Sequence, residues 1–218
     1  LNVETLDPKP QDGDDTLLLQ GRFVYNIDSL EPVIDYDVQD EQAKLQIRHK
    51  GTDAIRLDRL TTELRNEWEL ELCDNVPMSL DLDVGAASGR FELGGLRIQR
   101  LDLTTGAADL WIGFDKPNPE PLKAMRVFSG AAKLELIGLG NANLDELTFD
   151  GGLGTYTFDL SGNWKRSAKI YIQAGASQVR LRVPRDVGVH VCPGDLRRAH
   201  YGGLDREGDC YVNSLYDQ

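Results

Sequence analysis

Three groups of side chains in this 218-residue chain are of types that could do chemistry. The first is Asp81 with Asp83, followed by Asp102 and Arg126 at intervals of 21 and 24 residues. Paired carboxylates beside a cation are what glycosidic cleavage needs, one group protonating the leaving oxygen and another stabilising or attacking the sugar. Opposite charges on neighbouring strands also simply pair across a solvated sheet. The second group is His190, Cys192, His200 and Cys210, which offers thiolate and imidazole ligands for zinc. None of the familiar paired spacings is present, so no metal site is assigned. Cys192 and Cys210 also bracket a polar, glycine-containing loop that a disulfide would close, adding about 3 kcal/mol through loop entropy and suiting an oxidising compartment. Two reduced thiols that fill space are the alternative, and the odd cysteine count with Cys73 speaks for them. A thiol count with and without reductant separates the two. The third group is Asp28, Glu31, Asp35, Asp37, Asp40 and Glu41. It lacks both the EF-hand pattern and the glycine-rich nonapeptide of calcium-binding β-rolls, so it reads as a solvated face. No Ser-His-Asp, Cys-His or phosphate-loop arrangement is evident, and neither enzymatic activity nor a cofactor is expected.

The Asp81–Asp102–Arg126 row is a site only if its intervals are structural repeats. A small-residue motif recurs as Gly85-Ala86-Ala87, Gly106-Ala107-Ala108, Gly130-Ala131-Ala132, Gly152-Leu153-Gly154 and Gly175-Ala176-Ser177, at spacings of 21, 24, 22 and 23. Five residues before each glycine stand Leu80, Leu101, Met125, Leu147 and Ile170. Three before stand Leu82, Leu103, Val127, Phe149 and Ile172. Alternation resumes after the bend with Phe91, Ile112, Leu136, Phe158 and Leu181. A period of two on both sides predicts two half-buried strands per repeat, joined at a tight bend.

Repeats of about 22 residues cannot bury a core alone and must stack. The chain therefore predicts an all-β, stacked-rung β-solenoid of about five repeats, roughly 20 Å tall at the ~4.8 Å rung spacing. The alanine column after each glycine is read as the place of close approach, with Leu153 widening the fourth turn. Partial rungs are expected at both ends: Trp68, Leu70 and Leu72 at one, Val189 and Val191 at the other. The expected division is an acidic tether (1–15), N-terminal strands packing on or capping the rack (16–63), the solenoid (64–194) and a C-terminal tail or cap (195–218).

Some apolar groups fall where alternation predicts solvent. They are Trp111, Phe128, Ile137 and Tyr171, and with Asp81, Asp102 and Arg126 they are the candidate binding surface. Cover by the N-terminal strands or by the tail is the competing reading. Trp164, in a turn, is expected to lid the rack end.

Composition narrows the partners. The chain carries 36 acids against 24 bases, a net charge of −12, and residues 1–83 carry all of that excess. Such a surface repels phosphate backbones, so nucleic acid is not an expected partner. No apolar run approaches the ~20 residues a membrane helix needs, and no basic region followed by an apolar stretch marks a leader. The chain is expected to follow a removed segment or to omit an anchor.

Several of these stretches resemble a known family. Trp68-Glu69-Leu70 leading to Val76-Pro77, then Leu80 to Ala86 (LDLDVGA), Leu101 to Asp109 (LDLTTGAAD), Gly151-Gly152-Leu153-Gly154, and Val183 to Val189 are similar to the bacterial toast-rack domain. So is the tail from Gly202 to Tyr216, with Gly208, Tyr211, Asn213 and Tyr216. The domain occurs in cell-wall-active-antibiotic-response proteins, which regulate envelope stress, and a related form occurs in adhesin-like heads. The resemblance implies a non-enzymatic envelope module, secreted or membrane-anchored, and leaves the ligand unspecified; the outward apolar residues suggest a partner protein, a second copy or a glycan as what the surface contacts. A carbohydrate-binding or polysaccharide-cleaving β-helix is the alternative.

Overall fold

The computed structural model of the protein describes residues 1–6, 18–39, 42–51, 64–194 and 199–216. Strands run β1 (Asn2–Leu6), β2 (Leu19–Tyr25), β3 (Pro32–Gln39), β4 (Gln42–His49), β5 (Asn66–Leu72), β6 (Met78–Glu92), β7 (Ile98–Gly113), β8 (Ala124–Ile137), β9 (Glu146–Asp159), β10 (Lys169–Ala174), β11 (Ser177–Arg182), β12 (His190–Val191), β13 (Asp205–Glu207) and β14 (Cys210–Val212). Each of β6 to β9 is one long strand bent at its glycine, and β10 with β11 forms the fifth rung. The rungs pair in parallel: Leu82 opposes Leu103, which opposes Val127, then Phe149, then Ile172. Beyond the bend, Phe91, Ile112, Leu136, Phe158 and Leu181 align in the same way. The fold is the stacked β-solenoid of about five turns that the periodicity predicts.

Burial follows the columns. Leu101, Leu103, Leu110, Ile112, Met125, Val127 and Leu147 are inaccessible to solvent, and Phe149 makes edge contacts with Tyr156 and Phe158 at 4.7 and 5.0 Å. Shared apolar columns bury each rung against the next, which no rung could achieve alone. The loops between strands complete each turn, with Phe114, Leu122, Leu139, Ala142 and Leu144 closing the interior.

The close approach between turns lies one residue earlier than expected. Ala86, Ala107, Ala131, Leu153 and Ala176 all face solvent, and Leu153 is 59% exposed. The register from Ala131↔Leu153 to Ala132↔Gly154 continues unbroken, so Leu153 widens nothing. The crowded column is the glycines: a Cβ on Gly106 would meet the Gly85 carbonyl oxygen at 2.6 Å, and one on Gly152 the Gly130 oxygen at 2.3 Å. The bend puts the glycine against the backbone of the rung below and turns the following residue outward.

The segment read as a tether begins instead with a strand. β1 inserts antiparallel between β6 and β4, and Val3 is fully buried opposite Leu80 and Leu45. Leu1 and Val3 alternate over too short a run to announce a strand, and only the two neighbours reveal it. Residues 7–15 lie outside the described residues. The sheet order is β10-β9-β8-β7-β6-β1-β4-β3, so the N-terminal strands extend the first arm of the stack. β2 and β5 form a separate pair whose Phe23, Trp68, Leu70 and Leu72 pack against the core. Trp164 packs on the core as well and donates its indole N–H to the Leu160 carbonyl at 2.7 Å.

Buried amides bind the turns together. The Asn118 side chain is inaccessible to solvent; its Nδ2 donates to the carbonyls of Ile98 (2.7 Å) and Ala142 (3.2 Å), one rung to each side. Its Oδ1 accepts from the backbone N–H groups of Ile98 and Glu120, both at 3.2 Å. Asn143 donates to the carbonyls of Asn118 and Glu120, and Asn141 to that of Phe114.

One ion pair crosses the same loops. Arg97 donates through Nε to the Glu120 carboxylate at 3.1 Å, and this bond holds Glu120 below its ordinary pKa of 4.5. A carboxyl with a lowered native pKa stabilises the fold at pH values above its unfolded pKa, and the contribution disappears as pH falls through the native value. Glu120→Gln is therefore expected to lower the melting temperature at neutral pH and to have less effect the further pH falls below 4.5. Thermal melts of both proteins from pH 7 to 3 check this, and a pH-independent difference would refute it.

Candidate functional site

The outward face of the arm before the glycine bend carries two rows across the rungs. One runs Asp81, Asp102, Arg126, Thr148, Tyr171; the other runs Asp83, Thr104, Phe128, Asp150, Gln173. Period-two alternation aims these side chains away from the core, and in-register stacking fixes their order. Five of the seven candidate surface residues lie on this arm. Trp111 and Ile137 lie on the other, beyond the bend, so the seven do not form one patch.

Trp111 is not free to stack on a ligand. The Arg90 guanidinium sits 3.4 Å from its ring centroid, and its six-membered ring lies over Gly113 in the space a Cβ would occupy. Ile137 pairs with that same Gly113 and is half-buried. Sequence alternation placed both outward correctly but could not foresee that the indole would fold flat onto a glycine.

Asp102 is held as an ion pair. Its Oδ2 accepts from Arg100 Nε at 2.6 Å, and Arg126 lies 3.9 Å from its Oδ1. A carboxylate flanked by two guanidiniums on a sheet face is the arrangement that charge pairing across a solvated sheet produces. Arg126 is exposed, as is Asp81. The row is a set of charges on the sheet surface, Asp102 paired and Asp81 and Arg126 open to solvent.

Of the aromatic candidates on the binding surface, Phe128 and Tyr171 are the accessible ones, 48% and 54% exposed. Together with Thr148, Asp150, Gln173 and Cys192 they line a shallow groove of about 370 Å³. Its far side is the tail, where β12, β14 and β13 form a small antiparallel sheet. Cys192 and Cys210 are joined there, S–S 2.07 Å. His190 Nε2 lies 3.5 Å from Cys192 Sγ, so His190, Cys192 and Cys210 gather in one place without His200, but both sulfurs are engaged in the bond. Tyr201 stacks on Tyr211 at 3.8 Å, and its burial raises the phenol pKa. Elsewhere, His49 packs on Trp68 at 5.0 Å.

The disulfide closes 18 residues around three very short strands. Loop entropy assigns such a bond about 3 kcal/mol. Cys192→Ser with Cys210→Ser should therefore speed amide exchange in β12 to β14 by about a hundredfold while β7 to β9 keep their protection. Equal loosening throughout the chain would contradict this.

A bent parallel stack with a flat outer face of aromatic and charged rows is a solenoid built to present a surface. The chain belongs to the toast-rack family: the family model described as the N-terminal domain of toast_rack, DUF2154, matches residues 10–137 and again 116–182. Among solved structures it is similar to a Clostridium sporogenes ATCC 15579 protein provisionally assigned to cell adhesion. That likeness has a TM-score of 0.53 at 15% identity and covers 84% of this chain and 98% of that one. Identity this low speaks to the fold alone. No curated protein matches the chain. No helix among the described residues is long and apolar enough to cross a membrane.

Proposed function

We propose that the protein is a non-enzymatic module of the bacterial cell envelope that works by protein–protein contact, in adhesion or as a sensing or regulatory scaffold. The observation that carries this is the pair of exposed aromatics, Phe128 and Tyr171, beside the Asp81–Asp102–Arg126 row on a rigid sheet face. Large apolar groups left uncovered on a monomer are usually used, and aromatic residues with arginine dominate contact energetics. Stacking holds the residues in fixed relative positions, so little entropy is lost on binding. The neighbour's assignment to adhesion agrees with this reading. The secreted or membrane-anchored location belongs to the same proposal, with any anchor lying outside this chain.

Beads coated with the protein should adhere to bacterial cells. Phe128→Ala with Tyr171→Ala should reduce adhesion at least tenfold, about 1.4 kcal/mol, without lowering the melting temperature, since both side chains are exposed. Full adhesion by the double variant would remove the proposed surface. A glycan array run in parallel tests the carbohydrate alternative. Saccharide binding lost on Asp102→Ala would favour that reading over protein contact.

A further inference from the structure

Among the described residues, the first arm of the main sheet has two open edges, and they differ in charge. At one end β3 pairs only with β4 among the described residues. At the other, β10 and β11 pair only with β9. An unpaired edge presents a row of backbone donors and acceptors, and natural proteins guard such edges or use them.

Both edges are apolar on the same side of the sheet. In β3, Ile34, Tyr36 and Val38 stand opposite the buried Ile47, Leu45 and Ala43, yet they are 52%, 56% and 48% exposed. They continue the inner face of the sheet past the point where the core ends. In β10, Ile170, Ile172 and Ala174 continue the same inner face at the opposite end, opposite Leu147, Phe149 and Gly151. The outer side of β3 carries Asp35 and Asp37, and that of β10 carries Lys169. Over longer stretches the contrast grows. Among the described residues, positions 1–83 hold 11 acids and 5 bases, a net of −6, whereas positions 160–190 hold six bases (Lys165, Arg166, Lys169, Arg180, Arg182, Arg185) against Asp186 alone. Among the described residues, Lys169, Arg180 and Arg185 make no ion pair.

We propose that copies of this chain associate head to tail, the β3 edge of one copy pairing with the β10 edge of the next so that one sheet runs through both. Strand directions permit this without rearrangement. β10 runs parallel to β6, β1 antiparallel to β6, β4 antiparallel to β1, and β3 antiparallel to β4. β3 is therefore antiparallel to β10, and a second copy stacked along the solenoid axis meets it as an antiparallel neighbour, the stronger of the two pairings. The joint places Ile34, Tyr36 and Val38 beside the inner row of β10 and brings the acidic end of one copy to the basic end of another. Because the two surfaces differ, the contact is heterologous and does not close on itself, so it builds chains rather than a symmetric dimer. This deepens the reading of the chain as a contact module by naming a second copy as one partner; it uses the sheet edges, and only Tyr171 on β10 is shared with the Phe128–Tyr171 face.

Sedimentation of the whole chain at low salt should show the average mass rising with concentration to at least twice the monomer. It should fall back toward the monomer at about 0.5 M salt, where charges are screened beyond about 4 Å. Two variants test the polarity. Lys169→Glu with Arg180→Glu blocks one end, and Ile34→Asp with Tyr36→Asp blocks the other; all four side chains are exposed, and a circular dichroism melt confirms that each variant folds. Each alone should be monomeric, and an equal mixture should form one-to-one pairs and stop, because each contributes one intact end. A wild type that stays monomeric at low salt overturns the proposal, as does a single blocked variant that still dimerises or a mixture that stays unpaired. Phe128→Ala alone, on β8 and away from both edges, should leave self-association intact while reducing adhesion, so the two readings fail separately.

Discussion

Replacing Asn118 by alanine is expected to destabilise the protein by about 3–5 kcal/mol. The substitution leaves four backbone groups without their partner: the N–H and carbonyl of Ile98, the carbonyl of Ala142 and the N–H of Glu120. An orphaned buried group costs about 1–3 kcal/mol, and water entering the vacated space recovers part of the total. Against a stability of about 5–15 kcal/mol the loss is large, because these bonds join three successive turns. Urea unfolding monitored by tryptophan fluorescence should show a lower midpoint at unchanged slope. Asn118→Asp gives an independent check: a carboxylate would still accept from the two N–H groups but would face two carbonyls. Its penalty should grow as pH rises through the carboxyl's elevated native pKa, since the protonated form can donate one of the lost bonds. A loss below about 1 kcal/mol for the alanine variant would show that the asparagine is incidental.

The second large effect is expected from Gly152→Ala. A methyl group there would lie 2.3 Å from the Gly130 carbonyl oxygen, a backbone atom that cannot swing aside. Relieving the overlap means separating two rungs, which should cost about 2–3 kcal/mol. The same column supplies its own series. Gly106→Ala, at 2.6 Å, should cost somewhat less, and Gly130→Ala and Gly175→Ala, both at 3.0 Å, about 1 kcal/mol. Gly85, at the bottom of the column, has nothing within 4 Å, so Gly85→Ala should be neutral or slightly stabilising through the unfolded state. One residue along, Ala131→Leu should be tolerated, because that position faces solvent. Melting temperatures that fail to follow the order 152, 106, 130, 85 would refute the assignment of the close approach to the glycines.

How legible each feature was depended on whether its signal was periodic or needed a neighbour to interpret it. The columns of Leu80 and Leu82 were readable because apolar alternation has one physical reading when it recurs at a fixed interval. The outward rows followed by subtraction. The glycine and alanine columns recur at the same interval, and nothing in the residue types says which of two adjacent small residues meets the rung below. The loop asparagines were also written in the chain: Asn118, Asn141 and Asn163 recur at 23 and 22 residues, the period of the rungs, though of the three only Asn118 is fully buried. A polar residue in a loop has a solvated reading until its burial is known, so that signal carried no meaning by itself. β1 shows the opposite case, since a short polar strand becomes one only when two neighbours supply its hydrogen bonds.

Period-two alternation repeated about every 22 residues determined the stack, its register and which side chains point outward, because a rung can bury its apolar face only against an equivalent rung. Charge placement along the chain was likewise set by composition alone. Tertiary structure decided what those outward residues can do. It laid Trp111 under Arg90, tied Asp102 to Arg100, left Phe128 and Tyr171 open beside the disulfide, and put two unlike sheet edges at opposite ends. Those outcomes depend on what lies within a few ångströms across the rungs, and linear spacing does not carry that information.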